Sequence, residues 1–80
     1  MKKTFEVMYN GQHIQVENRW FTGEKLYVDG QLQDENLGLS MRANLYGQLK
    51  SKNRIKVSIG GVFKINCTIF VDNTLIYQSS

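Results

Sequence analysis

Eighty residues allow one domain with a modest core, burying roughly 60% of the surface its unfolded chain exposes. One cysteine, Cys67, excludes an internal disulfide; a secreted domain of this size would want such staples, so a reducing cytoplasm is the expected compartment. The net charge of +3 does not by itself indicate nucleic acid, no apolar run approaches the roughly 20 residues of a membrane-spanning helix, and Glu6 and Asn10 interrupt any leader-like stretch after Lys2 and Lys3, so a soluble, unprocessed chain is expected.

The first predicted element is a hairpin. Phe5, Val7 and Tyr9 alternate with Thr4, Glu6 and Met8, the period of a strand with one buried face. Asn10-Gly11 follows, a dipeptide suited to a type I′ turn because both central residues need positive φ. A two-residue loop there pairs Tyr9 with Gln12, Val7 with Ile14 and Phe5 with Val16, which brings both apolar sets to one face. After Thr22-Gly23, the stretch Lys25 to Val28 runs into Asp29-Gly30, a second dipeptide of the same kind, and out through Leu32.

The middle of the chain reads in two ways. Leu37, Leu39, Met41, Ala43 and Leu45 alternate as in a strand, while Leu37, Met41 and Leu45 are also spaced for a helix that Asp34 could cap and Gly47 could end. The strand accounts for all five apolar positions and the helix for three, so the strand is preferred. Ile55, Val57 and Ile59 then alternate up to Gly60-Gly61, and Phe63, Ile65, Cys67, Ile69 and Val71 alternate beyond it. A three-residue loop, Gly60 to Val62, would pair Ile59 with Phe63 and Val57 with Ile65 and keep both sets inward, with one glycine at positive φ.

The last hairpin runs from Thr68 through Asp72-Asn73 to Tyr77. Its segment Ile69 to Leu75 matches Leu26 to Leu32 in kind at nearly every position, 43 residues apart, which suggests two similar sheet halves. Short strands with turns every ~8–12 residues give an all-β class: an antiparallel β-sandwich or small barrel built from hairpins, one domain over residues 1–80. The expected core is Phe5, Val7, Ile14, Val16, Leu26, Val28, Ile55, Val57, Ile65, Ile69 and Val71.

The residues Asn10-Gly11, Ile14-Gln15-Val16-Glu17, Gly23 to Lys25, Val28-Asp29-Gly30 and Val71-Asp72 make the chain resemble the β-sandwich domain of Fas apoptosis inhibitory molecule proteins. That resemblance touches most of the chain through hairpin chemistry. Proteins of that family are longer, with a second similar domain. The resemblance implies a non-enzymatic interaction protein and assigns no site.

Catalytic chemistry finds little to stand on. His13, the one histidine, falls on the polar face opposite Met8, without a nucleophile to serve. Cys67 falls in the core between Ile65 and Ile69, where a thiol is inert. The two sit on opposite faces and cannot build a metal site of three or four ligands. Asp34-Glu35 reads as a solvated loop pair, and Gly60-Gly61 lacks the following helix and Gly-Lys-Ser/Thr ending of a phosphate loop. The expectation is therefore no enzyme and no cofactor.

Two surfaces remain. Tyr27 pairs with Leu32, and Phe70 with Leu75, on the face opposite Val28 and Val71; together they could form an apolar protein-contact patch. Lys50, Lys52, Arg54 and Lys56 recur at every second residue, and Lys64 would lie on the same face of the partner strand. Such a strip could follow a phosphate backbone, with Trp20, Phe21 and Tyr27 as stacking candidates. The first expectation is a protein-interaction or self-associating β-sandwich, with a protein partner or homodimer. The alternative is single-stranded nucleic-acid binding by the basic strip, set lower because the net charge is small.

Overall fold

The period-two segments form eight antiparallel strands in the computed structural model, which describes residues 2–38, 42–61 and 64–79. They are β1 (Lys2–Tyr9), β2 (Gln12–Arg19), β3 (Gly23–Val28), β4 (Gln31–Leu37), β5 (Arg42–Gln48), β6 (Arg54–Gly60), β7 (Asn66–Val71) and β8 (Thr74–Gln78). Consecutive strands pair, so the chain makes two four-stranded meanders, β1-β2-β3-β4 and β5-β6-β7-β8. The meanders pack face to face as an open sandwich and do not close into a barrel. No helix is present among the described residues.

The turn dipeptides set the register. Asn10 and Gly11 have φ of 50° and 75°, Asp29 and Gly30 50° and 80°, and Asp72 and Asn73 48° and 66°, the left-handed pair of a type I′ turn in each case. Tyr9 pairs with Gln12, Val7 with Ile14 and Phe5 with Val16 as the turn chemistry requires. Tyr27 pairs with Leu32 and Phe70 with Leu75 in the same way.

Two expectations change. The segment 37–45 is not one strand: Leu37 ends β4, Gly38 turns at φ 91°, and β5 begins at Arg42, while Leu39 and Met41 lie outside the described residues. The β6–β7 connection is also longer than three residues. Ile59 pairs with Cys67 and Val57 with Ile69, so Ile65 lies before β7 and Phe63 falls outside the described residues. The register moved by an even number of residues, so the same side chains still face inward. Gly61 is the glycine at positive φ, 144°, and a Cβ there would run into the carbonyl of Lys64.

The core is one cluster shared by both sheets. Phe5, Ile14, Val16, Leu26 and Val28 from the first sheet meet Leu45, Ile55, Val57, Ile59, Cys67, Ile69 and Val71 from the second, with Leu49 and Ile65 from connections. Val7, expected in the core, is only half-buried at its margin.

The 43-residue repeat is carried into three dimensions. In both halves the last hairpin contains a bulge at the same place, with Gln33 the extra residue in β4 and Ile76 the extra residue in β8. The first turn residue acts as a clamp in both. Asp29 N–H donates to the His13 carbonyl at 2.8 Å, and its carboxylate accepts from His13 N–H at 2.8 Å and Gln12 Nε2 at 2.9 Å. Asp72 N–H donates to the Arg54 carbonyl at 2.9 Å, and its carboxylate accepts from Arg54 N–H at 2.9 Å and from the Asn53 side-chain amide. These bonds hold both carboxyls below their ordinary pKa, the backbone N–H being the larger cause and the side-chain amide the next.

The two sides of the sandwich differ. β4 and β5 are joined: the Asp34 carboxylate accepts from Tyr46 N–H at 2.8 Å and Gln33 Oε1 from Gln48 N–H at 3.4 Å. Gly47 permits this approach, since a Cβ there would lie 3.0 Å from Leu26 Cδ2 and 3.3 Å from Gln33 Cβ. On the other side β1 and β8 meet through an edge-to-face contact of Phe5 with Tyr77, centroids 6.4 Å apart.

Candidate interaction surfaces

Register decides which side chains share an outer face. On the second sheet, Tyr46, Lys56, Phe70 and Leu75 form one row across β5, β6, β7 and β8. Tyr46 is 56% exposed and Leu75 48%. One row along lie Asn44, Ser58 and Thr68, with a hydrogen bond of 2.9 Å from Ser58 Oγ to Asn44 Oδ1. Arg42, Gly60 and Asn66 follow, and these polar rows line a shallow groove of about 430 Å³. Arg54 lies on the other side of the aromatic row, paired with Gln48.

On the first sheet the corresponding outer row is Glu6, Gln15, Tyr27 and Leu32, with Leu32 48% exposed. Thus both predicted apolar pairs form, but on opposite outer faces of the sandwich. The single patch expected from Tyr27, Leu32, Phe70 and Leu75 does not exist, because each sheet turns its own valine row inward and its own aromatic row outward.

The basic strip is also divided. Arg54 and Lys56 stand on the outer face of β6 as expected. Lys50 and Lys52 lie in the β5–β6 connection, where Lys52 adopts φ 70° and its N–H donates to the Leu49 carbonyl at 2.9 Å, so the alternation needed to align them is lost. Lys64 precedes β7, and the residue opposite Lys56 is Phe70. The stacking candidates Trp20, Phe21 and Tyr27 belong to the first half of the chain. Of the aromatics beside Lys56, Phe70 was expected in the apolar contact and not next to the basic strip, and Tyr46 was not singled out; the β6–β7 register would have set Phe70 opposite Lys56.

Charge follows the same division. Residues 1–41 hold four Lys/Arg against six Asp/Glu, and residues 42–80 hold six against one. The mild net charge of +3 therefore conceals an acidic first half and a basic second half.

The residues considered for catalysis are placed apart. His13 pairs with Met8, and its Nε2 lies 2.8 Å from Glu6 Oε1 at an exposed position. Cys67 is fully buried, and burial raises its pKa to about 12. Asp34 and Glu35 lie on β4, with Asp34 engaged at the β4–β5 junction. No group of three or more His, Cys, Asp or Glu could hold a metal among the described residues.

The inner face of the first sheet carries a polar row, Lys3, Asn18, Glu24 and Asn36, of which Asn18 and Glu24 are buried and Lys3 is exposed at the edge. Glu24 is 4% exposed and accepts from Asn18 Nδ2 at 2.9 Å and Asn36 Nδ2 at 3.0 Å. Lys3 Nζ donates to the Ile65 carbonyl at 3.4 Å, which ties this row to the second sheet. A second groove, of about 510 Å³, lies at the junction of the sheets beside Gln12, Gln31, Gln33 and Gln48. There the buried Gln12 bridges the halves, donating to Asp29 and accepting from Lys50 N–H at 2.8 Å.

No family model, curated protein or solved structure matches this chain. No helix among the described residues is long and apolar enough to cross a membrane.

Proposed function

We propose that this domain is a non-enzymatic protein-interaction module whose contact surface is the outer face of the second sheet. The observation that carries the reading is the row Tyr46, Lys56, Phe70 and Leu75, in which exposed Tyr46 and Leu75 and half-buried Phe70 surround a lysine in the basic half of the molecule. Aromatic and aliphatic anchors supply the desolvation that drives association, and a rim of one charge sign selects the partner. The partner of best fit is an acidic protein segment with apolar side chains. The resemblance to Fas apoptosis inhibitory molecule proteins points toward the same class of role.

A second reading is favoured by one feature of the same row. Lys56 stands between two aromatics, with roughly 10 Å between the strands that carry them, and a groove of polar side chains lies alongside. That is the arrangement on which single-stranded nucleic acid stacks.

Titration of the protein with an acidic, leucine-containing peptide and with a single-stranded oligonucleotide of equal charge separates the readings. Chemical-shift changes over Tyr46, Lys56, Phe70 and Leu75 are expected with the peptide, and binding should persist in high salt and be lost in Phe70→Ser. Oligonucleotide binding that falls by about 0.7 logarithmic unit per tenfold rise in salt for each phosphate contact would favour the second reading instead. Silence with both probes overturns both.

A further inference from the structure

We propose that the free edge of β8 pairs antiparallel with β8 of a second copy, joining two second sheets into one eight-stranded sheet. This proposal concerns the edge and does not rest on what the outer face binds. An open sheet edge presents unpaired backbone N–H and C=O groups, and proteins guard such edges with charge, bulges or cover.

Four strands are edges here: β1, β4, β5 and β8. β1 carries Lys2, Lys3 and Glu6. β4 and β5 cover one another, through Asp34 on Tyr46 N–H and Gln33 on Gln48 N–H. β8, with the sequence Thr-Leu-Ile-Tyr-Gln, is the one edge of the four without a charged residue.

The internal repeat sharpens the contrast. Gln33 and Asp34 of β4, the residues that seal the first sheet's last edge, correspond to Ile76 and Tyr77 of β8. Where the first half places a polar seal, the second half places Ile76 and Tyr77, which pack half-buried on the core and, through Tyr77, on the Phe5 ring of β1.

A second copy fits this edge on charge and geometry. Antiparallel pairing about a two-fold axis is self-complementary and closes at two copies, because the edges left over are charged or sealed. The nearest outward cation in the sheet is Lys56 on β6, two strands in from the edge. Across the joint, Lys56 and its copy stand about five strand spacings apart, roughly 24 Å, well beyond the ~8–10 Å over which exposed charges act in physiological salt. Leu75, 48% exposed, gains cover from its copy, and the Phe70–Leu75 row continues into the second molecule. The strand has five residues and a bulge at Ile76, so the contact is small against the ~800 Å² per partner of a stable complex and the dimer is weak and reversible.

Sedimentation of the parent, Leu75→Lys, Leu75→Glu and an equimolar mixture of the two variants tests the pairing, with circular dichroism to establish that each is folded. The parent should show a concentration-dependent rise in sedimentation coefficient. Each variant alone should lose it, with dimer affinity reduced at least tenfold, and the mixture should recover it through the opposite charges. A parent that stays monomeric up to millimolar concentration overturns the proposal. So does association that survives in both single variants but is lost in Phe70→Ser, which would place the dimer on the outer face. Should either Leu75 variant unfold, Thr74→Lys and Thr74→Glu, at the exposed start of the same strand, carry the same comparison.

Discussion

At the scale of single residues, Asp29 and Asp72 do the same work twice. Each occupies a left-handed turn position, and each carboxylate ties the turn to the neighbouring hairpin. Their pKa values lie below the ordinary 3.8, so the carboxylates bind protons less readily when folded. Their contribution to stability is therefore complete above that ordinary value and is lost as pH falls through the lower folded values. Asp29→Asn with Asp72→Asn keeps residues that tolerate positive φ while removing both charges. The double variant should melt below the parent at pH 7, and the gap should narrow as pH falls below the ordinary carboxylate range; a gap independent of pH would mean the carboxylates are not the cause. Cys67 makes the opposite prediction. Buried, with its pKa at about 12, it should react with a thiol reagent only as fast as the protein unfolds, which labelling in increasing denaturant measures directly.

At the scale of elements, strand pairing depends on a few close approaches that only glycine allows. Gly23 opens β3 at φ 115°, and a Cβ there would collide with the backbone carbonyl of Asn36 on β4. Backbone cannot swing aside as a flexible side chain would. Gly23→Ala should therefore cost on the order of 1–3 kcal/mol in urea unfolding, through strain in the left-handed region and displacement of β4. Gly11→Ala is the control. At φ 75° it lies close to the left-handed minimum, and nothing stands within 4 Å of the added Cβ, so it should cost less on both counts. Equal costs would show that the contact with Asn36 is unimportant.

At the scale of the whole molecule, the two meanders depend on one another. Ile14, Val16 and Leu26 are fully buried, and the surface covering them belongs to the second sheet. An isolated meander would leave that face in water, so residues 1–40 alone should remain unfolded by circular dichroism, and the intact chain should unfold in one cooperative transition. Detection of an intermediate with half the strand signal would contradict this. The division of charge belongs to this scale as well, since neither sheet's charge is visible in the net value of +3.

The sequence by itself determined the hairpins and the side of each strand that faces inward. Those properties are local: positive φ at Asn10-Gly11, Asp29-Gly30 and Asp72-Asn73 fixes each turn, and the period of two then assigns every side chain in the flanking strands. Parity also explains why Ile59 and Val57 face the core although their partners are Cys67 and Ile69 rather than Phe63 and Ile65. Only the tertiary structure decided how long the β6–β7 connection is, that Lys50 and Lys52 leave the strip, and that Tyr46 and Phe70 flank Lys56. It also decided that Tyr27–Leu32 and Phe70–Leu75 lie on opposite sides of the molecule. The repeat makes the two pairs look alike along the chain, but packing the two sheets by their valine faces sends their aromatic faces in opposite directions, a choice made between segments 43 residues apart that no local pattern records.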